Sequence, residues 1–148
     1  MAFDTAWRIL GNAIDTEDAV QDAFVDALRI HGQRTVGNWG ALLRRLASCR
    51  ALDLLRKRHA LVSLRVEPTA PRSTHPDAGA VATELATLLR QALARLPERE
   101  AEVFSLKYFS DLSNPEIAEA LEITVGAATV ALHKARAKLQ MMLCPTEE

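Results

Sequence analysis

The chain reads as an all-α protein of two small helical domains joined by a Pro-rich linker, and three observations predict this. Apolar residues recur at helical intervals through both halves of the 148 residues, and no segment alternates long enough to demand a sheet. The pattern breaks between Leu61 and about Ala82, where Pro68, Pro71, Pro76, Gly79 and several Ser and Thr residues replace it. Finally, residues 112–139, LSNPEIAEALEITVGAATVALHKARAKL, carry both start signals of a helix-turn-helix. The predicted boundaries are 1–60 for the first domain, 61–82 for the linker and 83–145 for the second domain.

Each element has its own signal. Phe3, Ala6, Trp7 and Leu10 predict a first helix, ended by Gly11-Asn12. A second starts at a Thr16 cap and runs to about Ile30, with Ala19, Val20, Ala23, Phe24, Ala27 and Leu28 facing inward. Residues 31–38 hold two glycines and no period, which predicts a loop. A third helix runs from about Trp39 to Arg58, burying Leu42, Leu43, Leu46, Ala47, Ala51, Leu54 and Leu55 and turning a basic side outward.

Helical signals resume near Thr83, with Leu85, Leu88, Leu89, Ala92, Leu93 and Leu96. Pro97 starts a further helix through Ala101, Val103, Phe104 and Tyr108, ending near Ser110. Ser113 caps the next, with Pro115 in its first turn and Glu116 completing a capping box. After the turn Glu122-Ile123, Thr124 caps a longer helix striped by Val125, Ala128, Leu132, Ala135 and Leu139 and ending in Lys134, Arg136 and Lys138. Two helices joined by about three residues, the second basic at its end, is the arrangement that places a helix in a DNA groove.

Composition narrows the function. Hydrophobic content of 49% supports a packed core, and no run of about eighteen apolar residues predicts a membrane span. The start, MAFDTAWRIL, lacks the basic and apolar regions of a signal peptide. Cys49 and Cys144 have no metal-like spacing and read as ordinary thiols of a reducing cytoplasm. With no paired carboxylates, nucleophile–base set or metal spacing, an enzyme is the least favoured class, and no cofactor or metal is implied.

A net charge of −1 conceals two blocks of opposite sign. Residues 15–26 hold Asp15, Glu17, Asp18, Asp22 and Asp26 without a Lys or Arg. Residues 44–58 hold Arg44, Arg45, Arg50, Arg56, Lys57 and Arg58 against Asp53 alone. Mixed signs would pair better along one helix, so this separation predicts two surfaces with different partners.

The order of these parts resembles the extracytoplasmic-function group of the sigma-70 family of bacterial RNA polymerase sigma factors. RILGNAIDTEDAVQDAF is similar to the group's acidic region-2 helix, and WGALLRRLASCRALDLLRKR to its promoter-melting and minus-ten helix. The stretch from ALARLPEREAEVF through LHKARAKL resembles region 4, which reads the minus-thirty-five element. The resemblance implies core RNA polymerase as partner, through its β′ clamp and β flap, together with promoter DNA. Family members are also often held by an anti-sigma factor wrapped on both lobes.

Carried onto this chain, it makes Asp15, Asp18, Gln21 and Asp22 the exposed polymerase-docking positions. Arg44, Arg45, Arg50, Arg56, Lys57 and Arg58 would neutralise phosphates. Arg34, Asn38 and Trp39 would capture an unstacked base, with a core role at the helix start competing for Trp39. In region 4 the implied contacts are Thr124, Ala127, Thr129, Val130, Ala131, His133, Lys134 and Lys138.

The chain departs from the family in two places. The group has a further helical stretch before RILGN, whose absence would leave Trp7, Leu10 and part of the Phe24 face less covered. The recognition helix reads VGAATVALHKAR where the group carries a VGTVKSRLHRAR-like run, so guanine contacts are lacking in its first two turns. Helical geometry would put Ala127, Val130, Ala131 and Lys134 opposite the inner stripe, and Glu122 replaces a favoured glycine. These departures motivate a competing expectation, a sigma-like interaction protein with weak promoter reading. A free-standing helix-turn-helix repressor would leave the acidic and melting-type helices unexplained.

Overall fold

The computed structural model describes residues 2–64 and 78–144, arranged as helices α1 (Ala2–Leu10), α2 (Ala13–His31), α3 (Trp39–Leu64), α4 (Ala78–Ala94), α5 (Glu98–Tyr108), α6 (Asn114–Leu121) and α7 (Val125–Leu143). No strand occurs among the described residues. Helices α1 to α3 form one bundle, and α4 to α7 form the second. Both ends of the expected linker are helical: α3 continues through Leu61–Leu64, and α4 begins at Ala78, while 65–77 lie outside the described residues. Helix extension by one residue needs no new nucleus, so an existing helix recruits flanking residues of indifferent propensity.

One local signal reads differently in the structure. The cap of α2 is Asn12, whose side-chain oxygen accepts from the Asp15 amide, not Thr16. Thr16 is buried inside the first turn, with its hydroxyl on the Asn12 carbonyl. Gly11 has φ +75°, which favours glycine, and an added Cβ would sit 2.5 Å from the Arg90 guanidinium carbon. That guanidinium donates from Nε to the Ile9 carbonyl, so the α1–α2 turn is also a joint to α4.

The inner face of α2 is its alanine row, Ala19, Ala23 and Ala27, which lets α2 lie close against α3. Phe24 and Leu28, expected inside, are 51% and 72% exposed, because the narrow alanine contact leaves them on the flank. Trp7 is likewise 43% exposed, whereas Leu10 is buried under the second lobe. On α3 the most buried large side chain is Leu52, a position the periodic pattern missed, while Leu43, Leu46 and Leu54 are only half-buried.

One core cluster crosses between the lobes. It joins Ala6, Ile9, Leu10, Ala19, Ala51, Leu52 and Leu55 to Leu93, Leu96, Ala101, Ala135 and Leu139. A second cluster belongs to the helix-turn-helix alone, with Val103, Leu106, Leu112, Ile117, Leu121, Ala128 and Leu132 at its centre. Polar contacts reinforce the crossing: the Thr5 and Ser110 hydroxyls bond at 2.6 Å, and Arg8 donates to the Phe109 carbonyl at 2.7 Å.

Candidate nucleic-acid interface

The capping chemistry of the helix-turn-helix is as expected. Ser113 accepts from the Glu116 amide, Glu116 returns a bond to the Ser113 amide, and Pro115 sits in the first turn. The Ser113 backbone bond, followed by its hydroxyl, holds the Glu116 carboxyl below its usual range, with Arg44 adding a smaller effect. Thr124 caps α7 by accepting from the Ala127 amide. Between them Glu122 adopts the left-handed conformation, with φ 58°. A non-glycine residue there costs on the order of 1 kcal/mol. Its carboxylate takes a bond from Arg34 across the lobes, which lowers its pKa.

On α7 the outer face holds Thr124, Val125, Gly126, Ala127, Thr129, Val130, His133 and Lys134. Two expected positions exchange sides. Ala131 is 8% exposed and belongs to the inner cluster, while Val125, expected inside, is exposed at the first turn. Thr129 is tied locally, donating to the Val125 carbonyl and meeting the Asn114 amide at 3.3 Å. Lys138 Nζ donates to both carboxylate oxygens of Glu100 on α5, at 2.9 and 2.8 Å, so it secures the fold rather than projecting outward. Arg136 packs over the Tyr108 ring and bonds its hydroxyl. His133 and Lys134 remain as exposed polar groups on this face.

The basic side of α3 is likewise partly committed. Arg50 makes a bidentate pair with Asp26 on α2, both bonds at 2.8 Å, and the Arg50 bond is the main reason Asp26 stays below its usual pKa. Arg58 pairs with Asp15. Burial alone would raise the Asp15 pKa, but bonds from Arg58 and Asn12 outweigh it and the net shift is downward. Asp15 is 3% exposed, so it does not stand on the outer face expected of it. Asp18, Gln21 and Asp22 do stand exposed together, at helical spacing on α2. Arg56 donates to the Leu96 carbonyl. Arg44, Arg45, Arg56 and Lys57 make no carboxylate ion pair among the described residues, and of these Arg56 is held by the carbonyl, while Arg34 extends from the preceding loop.

In that loop Asn38 caps α3, its side-chain oxygen accepting from the Ala41 amide and leaving its amide group outward. Trp39 is half-buried, tilted against His31 at 5.8 Å between ring centres. With Phe24, Ala27, Leu28 and Leu43 these rings line an open apolar groove of about 360 Å³. Both readings of Trp39 thus meet at one place, since its ring is a wall of the groove and a partial core residue.

Sequence reasoning missed the carboxylates that receive the basic residues. Asp15 with Arg58 and Asp26 with Arg50 are recognisable only once α2 and α3 are placed side by side. Cys49 bonds Glu102 of α5, and burial first, then that carboxylate, pushes its thiol up to about 12. It is therefore a protonated packing group at neutral pH.

Comparison with known proteins follows this geometry. The family profile described as "Sigma-70, region 4" matches residues 86–139, from the middle of α4 through α5 and α6 into the last turns of α7. The ECF RNA polymerase sigma factor SigW of Bacillus subtilis (strain 168) is 28% identical over 153 residues, covering 95% of this chain and 82% of SigW. Over nearly all of its length the chain is thus similar to the extracytoplasmic-function group of the sigma-70 family. The sigma factor RpoE, solved in complex with the anti-sigma factor NepR from Bartonella quintana, shares the fold of this chain. The match has a TM-score of 0.59 at 21% identity and covers 99% of this chain and 91% of that one. No helix among the described residues is long and apolar enough to cross a membrane.

Proposed function

We propose that this chain acts as a sigma factor which, working in the cytoplasm without catalysis of its own, docks on core RNA polymerase through residues 1–60 and reads promoters with both lobes. Asp18, Gln21 and Asp22 supply the docking face, where opposite charge on the polymerase clamp would speed encounter and set register. Arg34, Arg44, Arg45 and Lys57 neutralise promoter phosphates as the strands part, and the Asn38 amide and Trp39 ring hold an unstacked base. Residues 83–145 carry the minus-thirty-five contact through Thr124, Ala127, Val130, His133 and Lys134, and would meet the polymerase flap. An anti-sigma partner, as in the RpoE complex, would fit across both lobes.

The observation that carries this reading is the separation of exposed acid on α2 from uncommitted base on α3 within one lobe. Reconstitution with core polymerase tests it. Promoter-dependent run-off transcripts are the expected result, and polymerase binding without any transcript would contradict it. Reversing Asp18 and Asp22 to Lys should weaken polymerase binding at least tenfold, the loss of about 1.4 kcal/mol.

A further inference from the structure

Thr129 stands on the outer face of α7, yet its hydroxyl is already spent. Thr129 Oγ1 donates to the Val125 carbonyl at 2.9 Å, so its single proton goes back along the helix. The same oxygen accepts from Asn114 Nδ2 at 3.3 Å. With the proton committed, Oγ1 can take only a donor from Asn114, which fixes that amide with its nitrogen toward Thr129. The orientation has a cost, because Asn114 Oδ1 is left buried with no hydrogen-bond partner among the described residues. Turning the amide over would set two oxygens against each other with no proton between them. Asn114, the first residue of α6, thus clamps a side chain on the following helix.

The clamp decides what Thr129 can offer a base pair. A free threonine presents a rotatable donor, two lone pairs and a methyl group. Here the donor is gone, one lone pair is used, and the γ-methyl is the part left to pack. In the major groove guanine shows the acceptors N7 and O6, which this hydroxyl can no longer serve. Thymine shows a C5-methyl, which a threonine methyl covers well. The surroundings match. Val125, one turn earlier, and Val130, the next residue, are both exposed and extend the apolar strip.

Resting on the proposed promoter role, we propose that Thr129 determines specificity in α7, selecting an A·T pair at minus thirty-five by packing its γ-methyl on the thymine methyl. Asn114 is its positioning residue, touching no base and holding the hydroxyl out of play. A residue tied into its own fold is thereby the one that reads, through the group the ties leave over.

The test uses core polymerase carrying the full chain, on promoters whose minus-thirty-five element the wild-type protein has selected from a random pool. Thymines of that element are replaced one at a time by uracil, which deletes the C5-methyl alone and lies upstream of the transcribed region. Binding should fall about threefold to fivefold at one position, the loss of one methyl contact. Thr129→Val keeps a methyl and should keep that penalty. Thr129→Ser keeps the hydroxyl without the methyl, and the penalty at that position should vanish. Asn114→Ala releases the hydroxyl and should raise acceptance of guanine there about threefold. On a Thr129→Val background, with no hydroxyl to release, the same change should leave base preference alone. An equal shift on both backgrounds would overturn the clamp. Indifference to uracil at every thymine, a selected element without thymine, or a full penalty in Thr129→Ser would overturn the methyl reading. Absence of any promoter-dependent transcript is a separate outcome, which overturns the promoter role beneath it.

Discussion

Helix α3 carries Arg44, Arg45, Arg50, Arg56, Lys57 and Arg58, whereas the first two turns of α7 present Val125, Ala127, Thr129 and Val130. In the sequence, α3 is a dense cationic rod and α7 a depleted reader. The structure narrows the contrast. Arg50 and Arg58 are engaged by Asp26 and Asp15, and Arg56 by a carbonyl, so roughly half of the α3 charge holds helices together. Helix α7 loses Lys138 to Glu100 in the same way. A cation within reach of a carboxylate on a packed neighbour becomes part of the fold, and only the remainder is open to phosphate. What still differs is the surface: α3 keeps charge near an open apolar groove, and α7 keeps a neutral outer face, which under the proposed function would meet thymine methyls.

The largest test of this contrast concerns the inner side of α3. Leu52→Ala should lower stability by about 3 kcal/mol, because Leu52 is almost fully buried in the cluster that joins the lobes. Urea unfolding reads the loss, and a change below about 1 kcal/mol would mean that the seam is not a core.

Asp15→Asn comes next, with an expected loss of about 2 kcal/mol at neutral pH from disrupting a buried, hydrogen-bonded carboxylate. The sign with pH is fixed. The folded-state pKa values of Asp15 and Asp26 are depressed, so their stabilisation is fully present above the ordinary value of 3.8 and is lost as pH falls through the depressed values. The gap between wild type and Asp15→Asn should therefore close on acidification below about pH 4. A gap that widens there would place the stabilisation elsewhere.

On the α7 side, Thr124→Ala removes the cap and should cost about 1 kcal/mol by thermal unfolding, with no effect on the α2–α3 ion pairs. Glu122→Gly gives the smallest change. Relief of the left-handed strain, about 1 kcal/mol, is offset by loss of an exposed ion pair and by glycine's greater unfolded-state freedom. A melting temperature within a few degrees of wild type is the expected result, and a large fall would show the Arg34 contact to be much stronger than a surface pair.

These same residues show how far sequence reading reaches. Local signals with a fixed spacing were legible: the capping box at Ser113 and Glu116, the Thr124 cap, and the inner positions Ala128, Leu132, Ala135 and Leu139. Sidedness was legible for α7 except at Val125, exposed in the first turn, and Ala131, buried in the inner cluster. The charge blocks were legible, but not their mutual neutralisation, since Arg50 finds Asp26 only after α2 and α3 dock. The joining of two lobes into one cluster was also hidden. Leu10 and Leu139 each look like ordinary inner residues of their own helices until both are seen around Leu93.

A randomised promoter library transcribed by core polymerase carrying this chain tests most directly the proposed division of reading between α3 and α7. Selected promoters should show a sharp preference at minus ten and a shallow one, tolerant of A and T, at minus thirty-five. A strong guanine requirement at minus thirty-five would contradict that division, since no outward side chain in the first two turns of α7 can make the bidentate contact.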